Sequence, residues 1–253
     1  MYHFFAPDED ASAGKILLRD DNYNHIKNVL RMKPGEKMIV SDARDTDSLC
    51  CLKEYQDGCA VLEVLPDTVA DAEMPVRIHL FQGLPKGDKL ETVIQKSVEL
   101  GVCSVIPVEM KRSIVKIPDN KKAARAERWQ RLSEAAAKQS GRRIIPEVSG
   151  PVPLAEALKK AAAMDTVLVP YECAEDMNAT RRLLSSLRPG TDAAVFIGPE
   201  GGFDPAEIEK LRQCGAHICT LGHRILRTET AGPAFLAMCI FALEDVVSSE
   251  AAK

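Results

Sequence analysis

The 253-residue chain contains no Gly-x-Gly and no Gly-x-x-x-x-Gly-Lys-Ser/Thr. A dinucleotide-binding or P-loop reading therefore loses its main support. None of its eight cysteines falls in a Cys-x-x-Cys pair. Cys59, Cys103, Cys219 and Cys239 lie in apolar runs, which favours buried, reduced thiols. His217, Cys219 and His223 are close in sequence, but no second ligand pair stands at zinc spacing, so no metal is expected. No apolar run is long enough to span a membrane. The start, Met1-Tyr2-His3-Phe4-Phe5, lacks the charged-then-apolar pattern of a signal peptide, and a cytoplasmic protein is the expectation. There is no internal repeat and no low-complexity segment.

What is present is the composition of an ordinary globular enzyme, 45% hydrophobic and 28% charged. The length suits one large domain or two smaller ones. A net charge of −4 argues against indiscriminate nucleic-acid binding. The charge is uneven, however. Residues 111–143 hold eleven Lys/Arg against three acids, an excess of eight. That stretch is either a solvated helix face or a phosphate-binding face.

Residues 1 to about 70 read as a small β-rich domain. Strands are expected at Glu36 to Ser41, Leu49 to Leu52 and Cys59 to Leu65, with a short helix at Asp20 to Leu30 stopped by Lys33-Pro34-Gly35. Asp67 to Pro75 is polar and reads as a linker. Beyond it strands and helices alternate, which predicts a parallel α/β sheet. The expected strands are Val76 to Gln82, Val102 to Val108, Thr166 to Pro170, Ala193 to Val195 and Ala216 to Leu221. The expected helices are Asp88 to Leu100, with Asp88 and Glu91 as a capping box, then Asn120 to Ser140, Leu154 to Ala163 and Arg181 to Leu187.

Two glycine-rich turns stand out. In the first, Gly198-Pro199-Glu200-Gly201-Gly202-Phe203 leads into Asp204-Pro205-Ala206-Glu207, a helix start with Asp204 as N-cap, Pro205 first and Glu207 as the reciprocal acid. In the second, Leu221-Gly222-His223-Arg224-Ile225-Leu226-Arg227-Thr228-Glu229-Thr230-Ala231 precedes an apolar helix, Ala234 to Val247. Pro233 fits only the first turn of that helix, which places its start near Thr228 to Thr230. Bare glycine backbone between strand and helix lets a flat ligand lie against main-chain amides. Each turn is also readable as a plain tight turn.

These two segments, with Gln82 to Lys89, Gln95 to Val102, Lys111-Arg112-Ser113 and Glu134 to Arg142, resemble the SPOUT methyltransferases. Within them they resemble the RsmE-type family, which methylates N3 of a uridine in 16S ribosomal RNA. The resemblance runs over the chain and is least distinctive at the N-terminus. It implies an α/β fold, a parallel sheet with a C-terminal trefoil knot, over residues 75–253. It also implies a small PUA-like β-barrel that binds RNA, over residues 1–70. It implies S-adenosylmethionine as cofactor, held bent by three loops: Val169, Pro170 and Tyr171; Gly198, Pro199, Glu200, Gly201 and Gly202; Leu221, Gly222, Ile225 and Leu226. It further implies a homodimer formed through the knot. The final helix, apolar on nearly every face from Phe235 to Val247, points the same way.

The methyl of a sulfonium is already activated, so such an enzyme must align the attack and remove the uridine N3 proton. Glu200 and Glu229 are the candidates for the proton step. Glu229 also suits a helix start with no catalytic role. Arg227 and Arg112 either hold the uridine oxygens or bind phosphate. The RNA is expected on Lys111, Arg112, Lys138, Arg142 and Arg143, and on Arg31 and Lys33 of the N-terminal domain, with the assembled small subunit as its setting. Two other readings stay open: a ribose 2′-O-methyltransferase of the same fold, and an RNA-binding protein without catalysis.

Overall fold

The computed structural model describes residues 1–6, 11–12, 14–42, 46–67, 69 and 71–250, the side chains of 11–12 and 245–250 excepted. Val246, counted above as part of an apolar helix face, is therefore described by its backbone alone. The chain forms two compact units, Met1–Glu73 with Ala137–Ile145, and Met74–Ala136 with Pro146–Lys253.

In the first unit six strands form one sheet. They are β1 (Tyr2–Ala6), β2 (Ala11–Ser12), β3 (Lys15–Leu18), β4 (Lys37–Asp42), β5 (Asp47–Gln56) and β6 (Cys59–Val64), in the order β1-β4-β5-β6-β3-β2. β1 runs parallel to β4 and the other pairs are antiparallel. Period-two alternation buries Met38 and Val40 of β4 with Cys50, Leu52 and Leu62. Asp57 and Gly58 join β5 to β6 with φ of 48° and 76°, as a two-residue type I′ hairpin requires. The expected helix is α1 (Asp20–Asn24) continued by a π-helical turn (His25–Val29) with Leu30 as its C-cap, and Arg31 just beyond it turns the chain with φ 54°.

Residues 137–145 pack in this unit through Glu73. Its carboxylate accepts from Arg142 Nε at 3.1 Å and from the Arg143 and Ile144 amides at 3.1 and 3.3 Å. The segment Asp67 to Pro75 is thus tied down near its end rather than a free linker.

The second unit is a parallel sheet with helices. In chain order it contains β7 (Arg77–Gly83), α2 (Lys89–Glu99), β8 (Ser104–Glu109), α3 (Asp119–Ser140), β9 (Glu147–Val148), β10 (Val152–Pro153), α4 (Leu154–Ala161), β11 (Thr166–Pro170), α5 (Met177–Ser185), β12 (Asp192–Ile197), α6 (Pro205–Gln213), β13 (His217–Cys219) and α7 (Thr228–Glu250). The last turn of α3 is counted with the first unit. The strand order is β10-β8-β7-β12-β11-β13, with β9 also on β8, and every pairing is parallel. Such a sheet is covered on both faces, and Ala193 to Ile197 of β12 are all buried. Phe81 and Phe196 stack in the core with ring centroids 4.5 Å apart. The order places the carboxyl ends of β12, β11 and β13 side by side, where open α/β sheets bind ligands.

Four local expectations need correction. Asp88 makes no capping hydrogen bond with its side chain; Glu91 instead pairs with Arg128 at 2.8 Å. Helix α5 starts four residues earlier than expected, because Asp176 accepts from the Asn178 and Ala179 amides. Pro233 lies inside α7, which begins at Thr228, rather than in its first turn. Of the cysteines named above, Cys219 and Cys239 are buried, but Cys59 and Cys103 are only half-buried. Burial pushes the Cys219 thiol up to about 12.

At the start of β12, Asp192 meets Arg77 at 2.7 Å and His79 at 2.9 Å. The Arg77 hydrogen bond, followed by that of His79, holds its carboxyl at about 2, below its ordinary 3.8. A depressed carboxyl stabilises the fold above the unfolded value and loses that contribution as pH falls toward the folded one. The shift sets an upper bound of about 2 kcal/mol, reduced to about 1 kcal/mol by solvent screening. Asp192→Asn should lower the urea midpoint at pH 6 and flatten its fall between pH 4 and 2. An unchanged midpoint would remove the pair from the account.

Candidate active site

Three strand-to-helix connections enclose a cavity of about 370 Å³. From the end of β11 come Pro170, Tyr171 and Glu172. From the turn after β12 come Gly198, Pro199, Glu200, Gly202 and Phe203. From the segment after β13 come Thr220 to Leu226, continued by Arg227, Thr228 and Glu229 at the start of α7; Lys89 of α2 completes the rim. The size suits a nucleoside-sized ligand.

The turn after β12 is fixed from several sides. The Gly202 amide donates to the Pro199 carbonyl at 2.9 Å, closing the turn, and Gly202 has φ 68°. The capping box at Asp204 and Glu207 is complete, which orients α6. Thr228, buried at the start of α7, donates to the Gly198 carbonyl at 2.6 Å and accepts from Gln82 Nε2 at 2.8 Å. Beneath the turn lies Gly83. A Cβ there would come within 2.6 Å of the Pro199 nitrogen, so only glycine permits this approach. Gly83→Ala must therefore displace the turn. A shift of that size predicts a loss of activity of about 100-fold with the fold retained. Wild-type turnover in a folded Gly83→Ala protein would contradict the assigned packing.

The two candidate carboxylates differ. Glu200 accepts from the Lys86 amide and from Lys89 Nζ, each at 3.0 Å. Partial burial pushes its carboxyl up, but these two donors outweigh it and hold it below its ordinary value. Its oxygen is committed to holding the turn. Glu229 Oε2 is out of contact with water and has no hydrogen-bond partner among the described residues. Lys89 Nζ stands 3.7 Å from it. Glu200 thus already accepts two hydrogen bonds on Oε1, whereas Glu229 accepts none from the described residues.

Arg227 and Glu229 line the cavity, while Arg112 does not. Arg112 instead donates from Nη1 to the Gly201 carbonyl at 3.0 Å. A Cβ on Gly201 would meet Arg112 at 3.1 Å, so Gly201 faces that arginine and is absent from the cavity wall. Val169 is buried in the core rather than on the wall. Arg31 and Lys33 are exposed in the first unit, and Lys138 is half-buried. Lys111 pairs with Asp204 at 2.9 Å and Arg143 with Asp71 at 3.0 Å. Arg142 requires a correction: it is only 3% exposed and bound to Glu73, so it offers no guanidinium to phosphate. Among the described residues Lys116, Lys121, Arg125 and Arg131 are exposed and have no ion-pair partner. Sequence reasoning missed Gln82, Lys89, Glu172 and Thr228. Gln82 and Lys89 lie in the motif segment Gln82 to Lys89, which was its only signal for them.

Comparison with known proteins agrees with this geometry. The pattern of an RNA methyltransferase domain matches residues 72–240, and that of an RNA methyltransferase PUA domain matches residues 18–57. The Bacillus subtilis ribosomal RNA small subunit methyltransferase E is 36% identical over 222 residues, 87% of each chain. The chain belongs to the ribosomal RNA small subunit methyltransferase E family. A crystal structure of the Neisseria gonorrhoeae family member bound to S-adenosyl methionine is 31% identical, with a TM-score of 0.80 over 96% of this chain and 98% of that one. A putative methyltransferase from Legionella pneumophila, in complex with the cofactor, is 29% identical with a TM-score of 0.76, covering 95% and 97%. The α/β parallel sheet and the PUA-like N-terminal region are thus those of a small-subunit methyltransferase E. No helix among its described residues is long and apolar enough to cross a membrane.

Proposed function

We infer that this protein transfers a methyl group from S-adenosylmethionine to small-subunit (16S) ribosomal RNA, and that the acceptor is N3 of a uridine. The observation that carries the reading is the cavity at the adjacent ends of β11, β12 and β13, walled by glycine turns. The cofactor is compatible with this wall. Gly222, with φ 104°, has open space where a Cβ would stand. Leu221, Ile225 and Leu226 offer apolar contact, and Glu172 and Glu229 supply negative charge for a cationic ligand. When bound, S-adenosylmethionine supplies an activated methyl group. The chain's own residues do the rest. The three loops hold the cofactor, Arg227 offsets charge on the uridine oxygens, and Glu229 receives the N3 proton. The side-by-side strand ends are consistent with a C-terminal trefoil knot, which we include in the reading. The first unit takes the role of an RNA-binding barrel. The exposed cations of 111–131, with Arg31 and Lys33, take the RNA backbone. Mass spectrometry of small-subunit RNA from a deletion strain tests the reading: 3-methyluridine should be lost at one position. Loss of a ribose methyl instead would favour the 2′-O reading.

The reading includes a homodimer. On α7, Ala234, Ala237, Met238 and Phe241 follow helical spacing, and Phe241 is 86% exposed. An apolar stripe of this kind is a surface for a second copy. Phe241→Glu should convert a dimer to a monomer in sedimentation at micromolar concentration. A wild-type monomer would exclude the dimer.

A further inference from the structure

Lys89 occupies a position that its own helix disfavours. It is the first residue of α2, where the helix end carries partial positive charge. Two carboxylates from distant segments offset this: Glu200 at 3.0 Å and Glu229 at 3.7 Å. The Glu200 hydrogen bond raises the Lys89 ammonium above its ordinary value, so it stays charged. Glu200 is itself fixed by the Lys86 amide. Lys89 is therefore pinned at one side by Glu200 and attracts Glu229 by charge on the other, beyond hydrogen-bond reach. Glu229 Oε2 is thereby held buried on the Lys89 side, and the exposed part of the half-buried carboxylate is left to accept a proton or an N–H from the cavity.

Resting on the function proposed above, we propose that Lys89 is a positioning residue for methyl transfer, acting through Glu229. It fixes the Glu229 carboxylate against the turn after β12 without consuming its acceptor. Glu200 is the anchor of the arrangement and takes no part in proton transfer. The step balances: the methyl–N3 bond would form as the bond from the methyl to the cofactor's sulfonium sulfur breaks, its electron pair staying on sulfur, while the N3–H bond breaks and the proton passes to Glu229 and then to solvent.

The test uses the full-length protein, undermethylated small subunits and S-adenosylmethionine. Wild-type turnover is established first; if it is absent while the protein still binds S-adenosylhomocysteine, the functional reading fails and the positioning role falls with it. Lys89→Met should lower kcat by about 30-fold while KM for the subunit stays within about 3-fold. Affinity for S-adenosylhomocysteine, read by calorimetry, should fall by no more than about 3-fold and the melting temperature by no more than about 2 °C, because the Lys86 amide still holds Glu200 and the turn. Lys89→Arg should recover most of the rate, since the charge is kept. In a Glu229→Gln background, Lys89→Met should have little further effect, because residues that act as a unit are not additive. Three results overturn the proposal. A parallel loss of product affinity and melting temperature makes Lys89 a strut. A raised KM with a flatter salt dependence makes it a phosphate contact. Full additivity with Glu229→Gln separates the two residues.

Discussion

Arg227→Ala is expected to lower methyl transfer by about 100-fold or more, the effect of removing one preorganised group that meets developing charge. Affinity for RNA should change by only about 3-fold, because the interaction strengthens in the transition state. The geometry supports the distinction. The Arg227 carbonyl opens α7, accepting from the Thr230 and Ala231 amides at 2.8 and 2.9 Å. Its guanidinium is exposed on the cavity wall with no ion-pair partner among the described residues. Single-turnover rates and filter-binding affinities for the same variant decide the matter. Equal losses in both would make Arg227 a phosphate anchor.

The second large effect is expected at Gly198. A Cβ there would stand 3.2 Å from the Gly202 carbonyl carbon and from the Phe203 ring. Valine adds two further methyl groups at a position on the cavity wall. The turn must then open, and the Thr228 hydrogen bond to the Gly198 carbonyl is strained with it. Gly198→Val should weaken S-adenosylmethionine binding by about 100-fold or more, with secondary structure retained. Gly201→Val is the informative control. Its Cβ meets Arg112 rather than the cavity, so its effect on cofactor affinity should be much smaller. Equal losses from both would mean that the turn responds as a whole and that the wall assignment is wrong.

Much of the second unit was legible in the sequence because its signals are local. Thr166–Pro170 was expected to the residue. The Asp204 cap with Pro205 and Glu207 needs only four neighbouring residues to be read, and it formed as expected. Strands β1 (Tyr2–Ala6) and β3 (Lys15–Leu18) are about as short as Thr166–Pro170 but lack its β-branched, proline-bounded run, and they were missed. The hairpin at Asp57-Gly58 did carry a signal, a positive-φ pair between alternating runs. The site was legible where glycine marks a turn. It was not legible where one long side chain joins distant segments. Lys89 meets Glu200 and Glu229 across more than a hundred residues, and Gln82 meets Thr228 likewise. Arg142 shows the opposite failure. A basic run reads as a phosphate face by count, but the burial of a single arginine against Glu73 is a property of packing.

The central claim, that this cavity methylates uridine N3 in small-subunit RNA, is tested most directly by one reconstitution. Small subunits from a strain lacking the enzyme are incubated with the purified protein and methyl-labelled S-adenosylmethionine, and the RNA is digested to nucleosides. The account predicts that the label is recovered as 3-methyluridine from a single site, and that Gly198→Val protein transfers none. Label recovered in a ribose-methylated nucleoside, or in no nucleoside while the protein still binds the cofactor, would contradict it.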